Sequence, residues 1–158
     1  EIVGELKSQL RTNLNNNLSD AYSDKSNISL IDNKLPDLFE ELKNKDVRIV
    51  LNTGYPIKIK DQIIRTLEMD KYIDDSISSE EVLKGRPYPY MINTLMERVG
   101  IESPKQVMKV GDTKADIQEG MVAHCCASIG VLTGVGTLKE FREVHADIVI
   151  TSVMALEK

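Results

Sequence analysis

Apolar side chains recur at Ile2, Val3, Leu6, Leu10, Leu14 and Leu18, a three-to-four spacing that predicts an amphipathic helix over residues 2–18. Residues 15–33, with N-N-N and Y-S-D-K-S-N, are rich in Asn, Ser and Asp and predict a solvated connector. Pro36, at a first helical turn, opens a second helix carrying Leu38, Phe39 and Leu42, which ends in the solvated K-N-K-D of 43–46. From Val47 the period changes. V-R-I-V-L is a compact β-branched run that stops at Asn52-Thr53-Gly54, and I-K-I-K-D-Q-I-I-R-T-L resumes helical spacing. Further strands are predicted at about 73–77, 106–110, 126–131 and 147–150, with helices at about 57–68, 88–99, 114–123 and 137–143. Strands alternating with helices of about ten residues imply βαβ crossovers. The fold class expected is α/β, a Rossmann-like doubly wound parallel sheet.

The chain has 158 residues, 41% of them hydrophobic, which suits one domain with a single core. Its net charge is −5, with 20 Lys and Arg interspersed among 25 Asp and Glu. That balance argues against a nucleic-acid or anionic-membrane surface and favours a small-molecule partner. No apolar run approaches the roughly 18 residues of a membrane span, and no signal-peptide pattern opens the chain, so a soluble, cytoplasmic protein is expected. Cys125 and Cys126 are adjacent, which disfavours a disulfide between them and predicts two buried thiols.

Three segments carry candidate chemistry. In V-M-K-V-G-D-T-K-A-D-I-Q-E-G, residues 107–120, a strand ends at Gly111-Asp112, and Asp116 follows in the first turn of the next helix. In an open α/β sheet that is the carboxyl-end mouth where functional groups gather. Two carboxylates there suit a hard cation such as Mg2+; they equally suit a helix cap (Asp112) and a partner for the helix dipole (Asp116). Asn52-Thr53-Gly54 closes another strand ahead of a helix. It reads either as a phosphate-binding turn, with a hydroxyl, free amides and a glycine that permits close approach, or as an ordinary turn. Lys84-Gly85-Arg86-Pro87 and Pro89 place two cations on a stiff loop. Arg86 has the fork to span a carboxylate and a phosphate oxygen, Lys84 acts as a point charge, and a solvated loop is the alternative for both.

Taken together and in order, L-N-T-G-Y at 51–55, G-R-P-Y-P-Y-M-I at 85–92 and V-G-D-T-K-A-D-I-Q-E-G at 110–120 resemble the second, third and fourth motifs of the haloacid dehalogenase-like (HAD) hydrolase superfamily. G-R-P-Y-P is most similar to its phosphonatase-like branch. The resemblance covers about residues 36–158, and residues 1–25 resemble the last helix and return linker of that family's helical cap, with 26–158 as an incomplete core domain. It implies a Mg2+-dependent hydrolase that cleaves a small phosphorylated or phosphonate metabolite through an aspartyl-phosphate intermediate. The implied roles are a phosphate-binding hydroxyl for Thr53, flanking substrate contacts for Asn52 and Gly54, and a cation steadying nucleophile and phosphoryl group for Arg86. Asp112 is the implied metal acid, and Asp116 the second acid, supporting the metal shell or the cation. Such roles agree with phosphoryl transfer being largely a matter of positioning and charge neutralisation. A homodimer is left open.

One motif of that family has no counterpart: no apolar strand here ends in an Asp followed two residues later by Asp or Ala and then Gly-Thr, the motif that carries the nucleophile. In the family that first strand is central, between the strands here at 47–51 and 106–110, and its absence would leave ladder groups unpaired at a cost on the order of several kcal/mol. The expectation is therefore that residue 1 is not the biological start. The alternative is a non-catalytic HAD-like fragment or pseudoenzyme acting as a binding domain; a receiver-like signalling domain fits the fold class but not the G-R-P loop. His124, where the family usually has Gly, is expected at a strained helix end, and His145 in a solvated stretch. The glycines of G-V-L-T-G-V-G-T, 130–137, predict a loop at the carboxyl edge of the sheet and lack dinucleotide-binding spacing.

Overall fold

The computed structural model describes residues 2–157; the side chains of Ile2 and Val3, which open the predicted apolar stripe, lie outside the described residues. The elements follow in the order α1 (Ile2–Ser23), α2 (Leu35–Asn44), β1 (Val50–Thr53), α3 (Ile57–Thr66), β2 (Asp75–Ser78), α4 (Tyr90–Val99), β3 (Met108–Gly111), α5 (Lys114–Val122), β4 (Ala127–Val131), α6 (Leu138–Glu143) and β5 (Ile148–Ile150). Every strand pair is parallel, and a helix lies between each strand and the next in sequence. The expected α/β class is the one observed.

The strands do not form one sheet. β1 pairs with β2, Val50 opposite Asp75 through Thr53 opposite Ser78. β3, β4 and β5 form a second sheet, with Val110 opposite Ile129 and Ile129 opposite Ile148. Among the described residues β1 and β3 each keep one edge without a strand partner. The division falls between β1 and β3, where the resemblance places the family's central strand. What joins the two sheets there is side-chain chemistry: Lys109 of β3 donates to Asn52 of β1.

Apolar burial is correspondingly divided. Leu35, Leu38 and Phe39 of α2 meet Ile49 and Met69 in one cluster; Ile77, Met91 and Leu95 form a second; Ile92, Ala123 and Cys125 form a third. Among the described residues the buried apolar side chains expected to form a single core fall into these clusters, with Ile59, Ile117, Ile129 and Phe141 buried outside them. α2 earns its place through spacing, since Leu35, Leu38 and Phe39 fall on one face and Pro36 starts the helix. α6 is short, but its Phe141 is fully buried against β4. A Cβ on Gly130 would lie 2.7 Å from the Phe141 ring, so β4 and α6 approach at a distance only glycine allows.

Several expectations change. Residues 15–23 are helical, not a connector, because the carboxyl half of α1 packs on α3. Thr66 Oγ1 donates to the Tyr22 carbonyl at 2.7 Å, Lys58 reaches Asn16, and Ser19 is buried. Tertiary contact overrides the low helix propensity of N-N-N. The same helix leaves Leu6, Leu10 and Leu14 more than half exposed, so its predicted apolar face is uncovered at that end. Of the two thiols only Cys125 is buried; Cys126 is exposed, as neighbouring residues entering a strand point to opposite sides. Burial pushes the Cys125 thiol up to about 11, which leaves it protonated and unreactive at neutral pH. His124 and His145 both adopt left-handed backbone, φ 59° and 56°, at the ends of α5 and α6. Among the described residues no helix is long and apolar enough to cross a membrane.

Phe141→Ala should lower unfolding stability by about 3–5 kcal/mol through loss of burial and cavity formation. Urea denaturation followed by far-UV circular dichroism measures it, and an unchanged midpoint would show that α6 does not anchor the second sheet.

Candidate active site

β1 carries the first wall. Asn52 and Thr53 are its last residues, and the chain turns at Gly54 and Tyr55 before Pro56 leads into α3. The turn is fastened from β2 and the segment after it: Ser78 Oγ donates to the Tyr55 carbonyl at 2.5 Å, Ser79 Oγ to the Gly54 carbonyl at 3.2 Å, and the Ile57 amide donates to Glu80 at 2.9 Å. The Thr53 hydroxyl oxygen accepts the Tyr55 amide at 3.1 Å, which leaves its proton available to an incoming acceptor. The Tyr55 and Tyr22 hydroxyls lie 3.3 Å apart, so the end of α1 reaches the rim of this turn.

The loop before α4 brings the cation. Arg86 Nη1 donates to Asp116 Oδ1 at 2.5 Å, and a Cβ added at Gly54 would sit 3.3 Å from Arg86 Nη2. One guanidinium nitrogen is therefore anchored and the other lies against the Thr53-Gly54 turn. Lys84 is not part of this arrangement. Its ammonium stands 4.6 Å from the centre of the Tyr88 ring, a cation–π contact, and Tyr88 stacks on Tyr90.

The start of α5 carries the acids. Thr113, not Asp112, is the helix cap: its hydroxyl oxygen accepts the Asp116 amide, while Asp116 Oδ2 accepts the Thr113 amide at 3.1 Å and the Thr113 hydroxyl at 2.6 Å. This reciprocal capping box fixes the Asp116 carboxylate. Gly111 is required beside it, since a Cβ there would lie 2.3 Å from Asp116 Cβ. Asp116 is buried, and its other oxygen is shared by Arg86 and by Lys109 Nζ at 3.1 Å. Burial raises its pKa, but the Lys109 charge, the Thr113 bond and Arg86 outweigh burial and hold the carboxyl below its ordinary 3.8.

Asp112 is placed differently. Its Oδ2 accepts the Val135 amide at 3.0 Å, and its carbonyl accepts the Gly136 amide at 2.9 Å, so the glycine loop after β4 folds over it. A Cβ on Gly134 would lie 2.0 Å from Asp112 Oδ2. Its Oδ1 has no hydrogen-bond partner among the described residues. Among those residues no three His, Cys, Asp or Glu side chains form a metal cage. One open carboxylate oxygen nevertheless fits a hard cation such as Mg2+, which fills its shell with waters and substrate oxygens.

Two residues were not singled out from sequence. Lys109, buried on β3, and Glu119, fully buried on α5, pair at 3.0 Å. Asn52 joins them: its amide nitrogen donates to both Glu119 oxygens, at 3.0 and 2.8 Å, and its oxygen accepts from Lys109 at 2.5 Å. The Asn52 side chain is thus engaged beneath the turn. The available signals were a lone cation inside the apolar strand V-M-K-V-G and an acid one helical turn after Asp116.

Comparison with known proteins identifies the family. A family model described as haloacid dehalogenase-like hydrolase matches residues 1–124. The chain is 40% identical over 94 residues to a phosphonoacetaldehyde hydrolase of Parabacteroides distasonis, covering 59% of this chain and 35% of that protein. It is 37% identical over 97 residues to one of Lysinibacillus sphaericus, covering 60% and 36%. The chain thus spans about a third of the length of the curated relatives it matches. A crystal structure of a phosphonoacetaldehyde hydrolase-like protein from Oleispira antarctica superimposes with a TM-score of 0.70 at 21% identity, over 80% of this chain and 54% of that one, a likeness of fold. With the family match extending over most of its length, the chain belongs to the haloacid dehalogenase-like hydrolases.

Proposed function

We propose that this chain supplies the phosphoryl-binding and charge-neutralising part of a hydrolase site that acts on a small phosphonate or phosphate compound, with Mg2+ as its metal. The observation that carries the reading is the convergence of Arg86 with Thr53-Gly54, a cation anchored on one side and open toward a hydroxyl-bearing turn on the other. The names of the two curated relatives direct the choice toward a phosphonate.

In this reading the Thr53 hydroxyl donates to a phosphoryl oxygen, the main chain at Gly54 allows close approach, and Arg86 Nη2 neutralises a second oxygen. Asp112 would hold the Mg2+, which when bound neutralises charge developing on the phosphoryl oxygens. Asp116, with both oxygens taken by Thr113, Arg86 and Lys109, serves the cations. The attacking carboxylate is not among the residues that converge here. The contact of Tyr22 with Tyr55 supports residues 1–25 as a cap remnant leaning on a core domain of 26–158.

Calorimetric titration with inorganic phosphate tests the clamp. Thr53→Val and Arg86→Met are each expected to weaken binding about tenfold or more, the worth of one hydrogen bond to a charged group. Affinities equal to wild type in both variants would remove the clamp from these residues.

Turnover tests the metal acid. Mg2+-dependent phosphate release from a phosphonate or phosphate monoester is expected for the whole protein, with near-complete loss in Asp112→Ala; a variant retaining wild-type turnover would exclude Asp112 from this role.

The Asp116 network predicts a pH dependence. Its carboxyl is depressed in the folded state, so its stabilisation is present above 3.8 and is lost as pH falls through the folded value. Asp116→Asn should cost about 3–5 kcal/mol at neutral pH by leaving buried cations unmatched. That gap to wild type should close in acid, and urea titrations across pH would refute the assignment if it stayed constant.

A further inference from the structure

Lys109 is more deeply buried than Arg86, with side-chain exposures of 9% and 23%. A buried ammonium persists only where acceptors meet its three N–H groups. Here one hydrogen bond and two ion pairs meet it: it donates to Asn52 Oδ1 at 2.5 Å and lies 3.0 Å from Glu119 Oε2 and 3.1 Å from Asp116 Oδ1. Two of the three lead to the phosphoryl site. Asn52 precedes Thr53 on β1, and Asp116 Oδ1 is the same oxygen that anchors Arg86 Nη1. Lys109 therefore touches both walls of the mouth, and it does so where β1 and β3 share no ladder bonds.

We propose that Lys109 is a positioning residue of the phosphoryl site: its ammonium fixes the Thr53-Gly54 turn, through Asn52, relative to the Arg86–Asp116 pair. The inference rests on the phosphoryl-binding reading given above. It depends on the compact point charge of an ammonium, which reaches an amide oxygen on β1 and two carboxylates on α5 at once; the planar fork of an arginine is not shaped for that convergence. Glu119 balances the charge, since two cations, Arg86 and Lys109, face two carboxylates, Asp116 and Glu119. The backbone under this cluster is held close, because a Cβ on Gly120 would lie 2.7 Å from Lys109 Cβ and 2.4 Å from Ser128 Oγ.

The test compares Lys109→Met with Leu38→Ala, a substitution in the separate cluster under α2 that lowers the melting temperature without touching the mouth. The readouts are the Arg86 side-chain Nε–Hε resonance in 15N-labelled protein, assigned by its loss in Arg86→Met, and the affinity for inorganic phosphate. In Lys109→Met the Arg86 resonance should shift and exchange faster with solvent, and phosphate affinity should fall about tenfold. In Leu38→Ala both should stay at wild-type values. A Lys109→Met protein whose Arg86 resonance and affinity match those of Leu38→Ala overturns the proposal and leaves Lys109 a structural ion pair. If Lys109→Met alone does not fold, the charge-balanced Lys109→Met/Glu119→Gln protein gives the same two readouts with the same meanings. Should the wild type bind no phosphate, the phosphoryl-binding reading fails, and the Arg86 resonance still decides whether Lys109 positions Arg86.

Discussion

The buried ammonium of Lys109 is the interaction on which the described arrangement depends. A parallel sheet is normally continuous through its backbone ladder, and here the ladder is interrupted between β1 and β3. Across that interruption run polar contacts, Lys109 to Asn52, Asn52 to Glu119 and Arg86 to Asp116, and Lys109 ties Glu119 and Asp116 together on its own side. Charge-assisted bonds of this kind are directional and strong where water is excluded, and they fail together when one member is removed. Apolar packing also crosses, Ile92 of α4 against Ala123 and Cys125, while at the mouth itself the Thr53 turn and Arg86 are linked through this polar group.

Much of the fold was legible in the sequence because β-branched runs ending in Gly or Thr-Gly alternate with helical spacing, and the order of strands and helices followed from that period. The failures have physical causes. Asn15–Asn17 read as a connector, yet packing of Ser19 and Tyr22 on α3 carries the helix through them. Leu6, Leu10 and Leu14 have the spacing of a buried face, and spacing says nothing about whether a partner covers it. Of the two readings open for Asp112, metal acid or helix cap, the cap is excluded, because the reciprocal bonds of Thr113 and Asp116 take that role one residue later.

The candidate site divides in the same way. Thr53, Gly54, Arg86, Asp112 and Asp116 were named from motif order, and the structure brings Gly54 next to Arg86 and Arg86 onto Asp116. Motif order did not say what each acid does. Asp116 has both oxygens occupied by cations and its own cap, and Asp112 keeps one oxygen open. That distinction depends in part on distant partners, the Arg86 side chain 30 residues from Asp116 and the Val135 main-chain amide 23 residues from Asp112, beyond what local periodicity encodes. Lys109 and Glu119 escaped notice because a single charged residue in a strand or helix is most often solvated, and only burial reveals otherwise.

The loop that closes over Asp112 does so entirely with main chain. The amide of Val135 bonds to the carboxylate and the amide of Gly136 bonds to the carbonyl, while Leu132, Thr133 and Val135 are exposed. Those three side chains form a lip beside the acid without taking part in holding it. The loop from Leu132 to Gly136 therefore separates two jobs: its main-chain amides fix Asp112, and its exposed side chains are left as an independent surface, free to differ in size and polarity without moving the carboxylate.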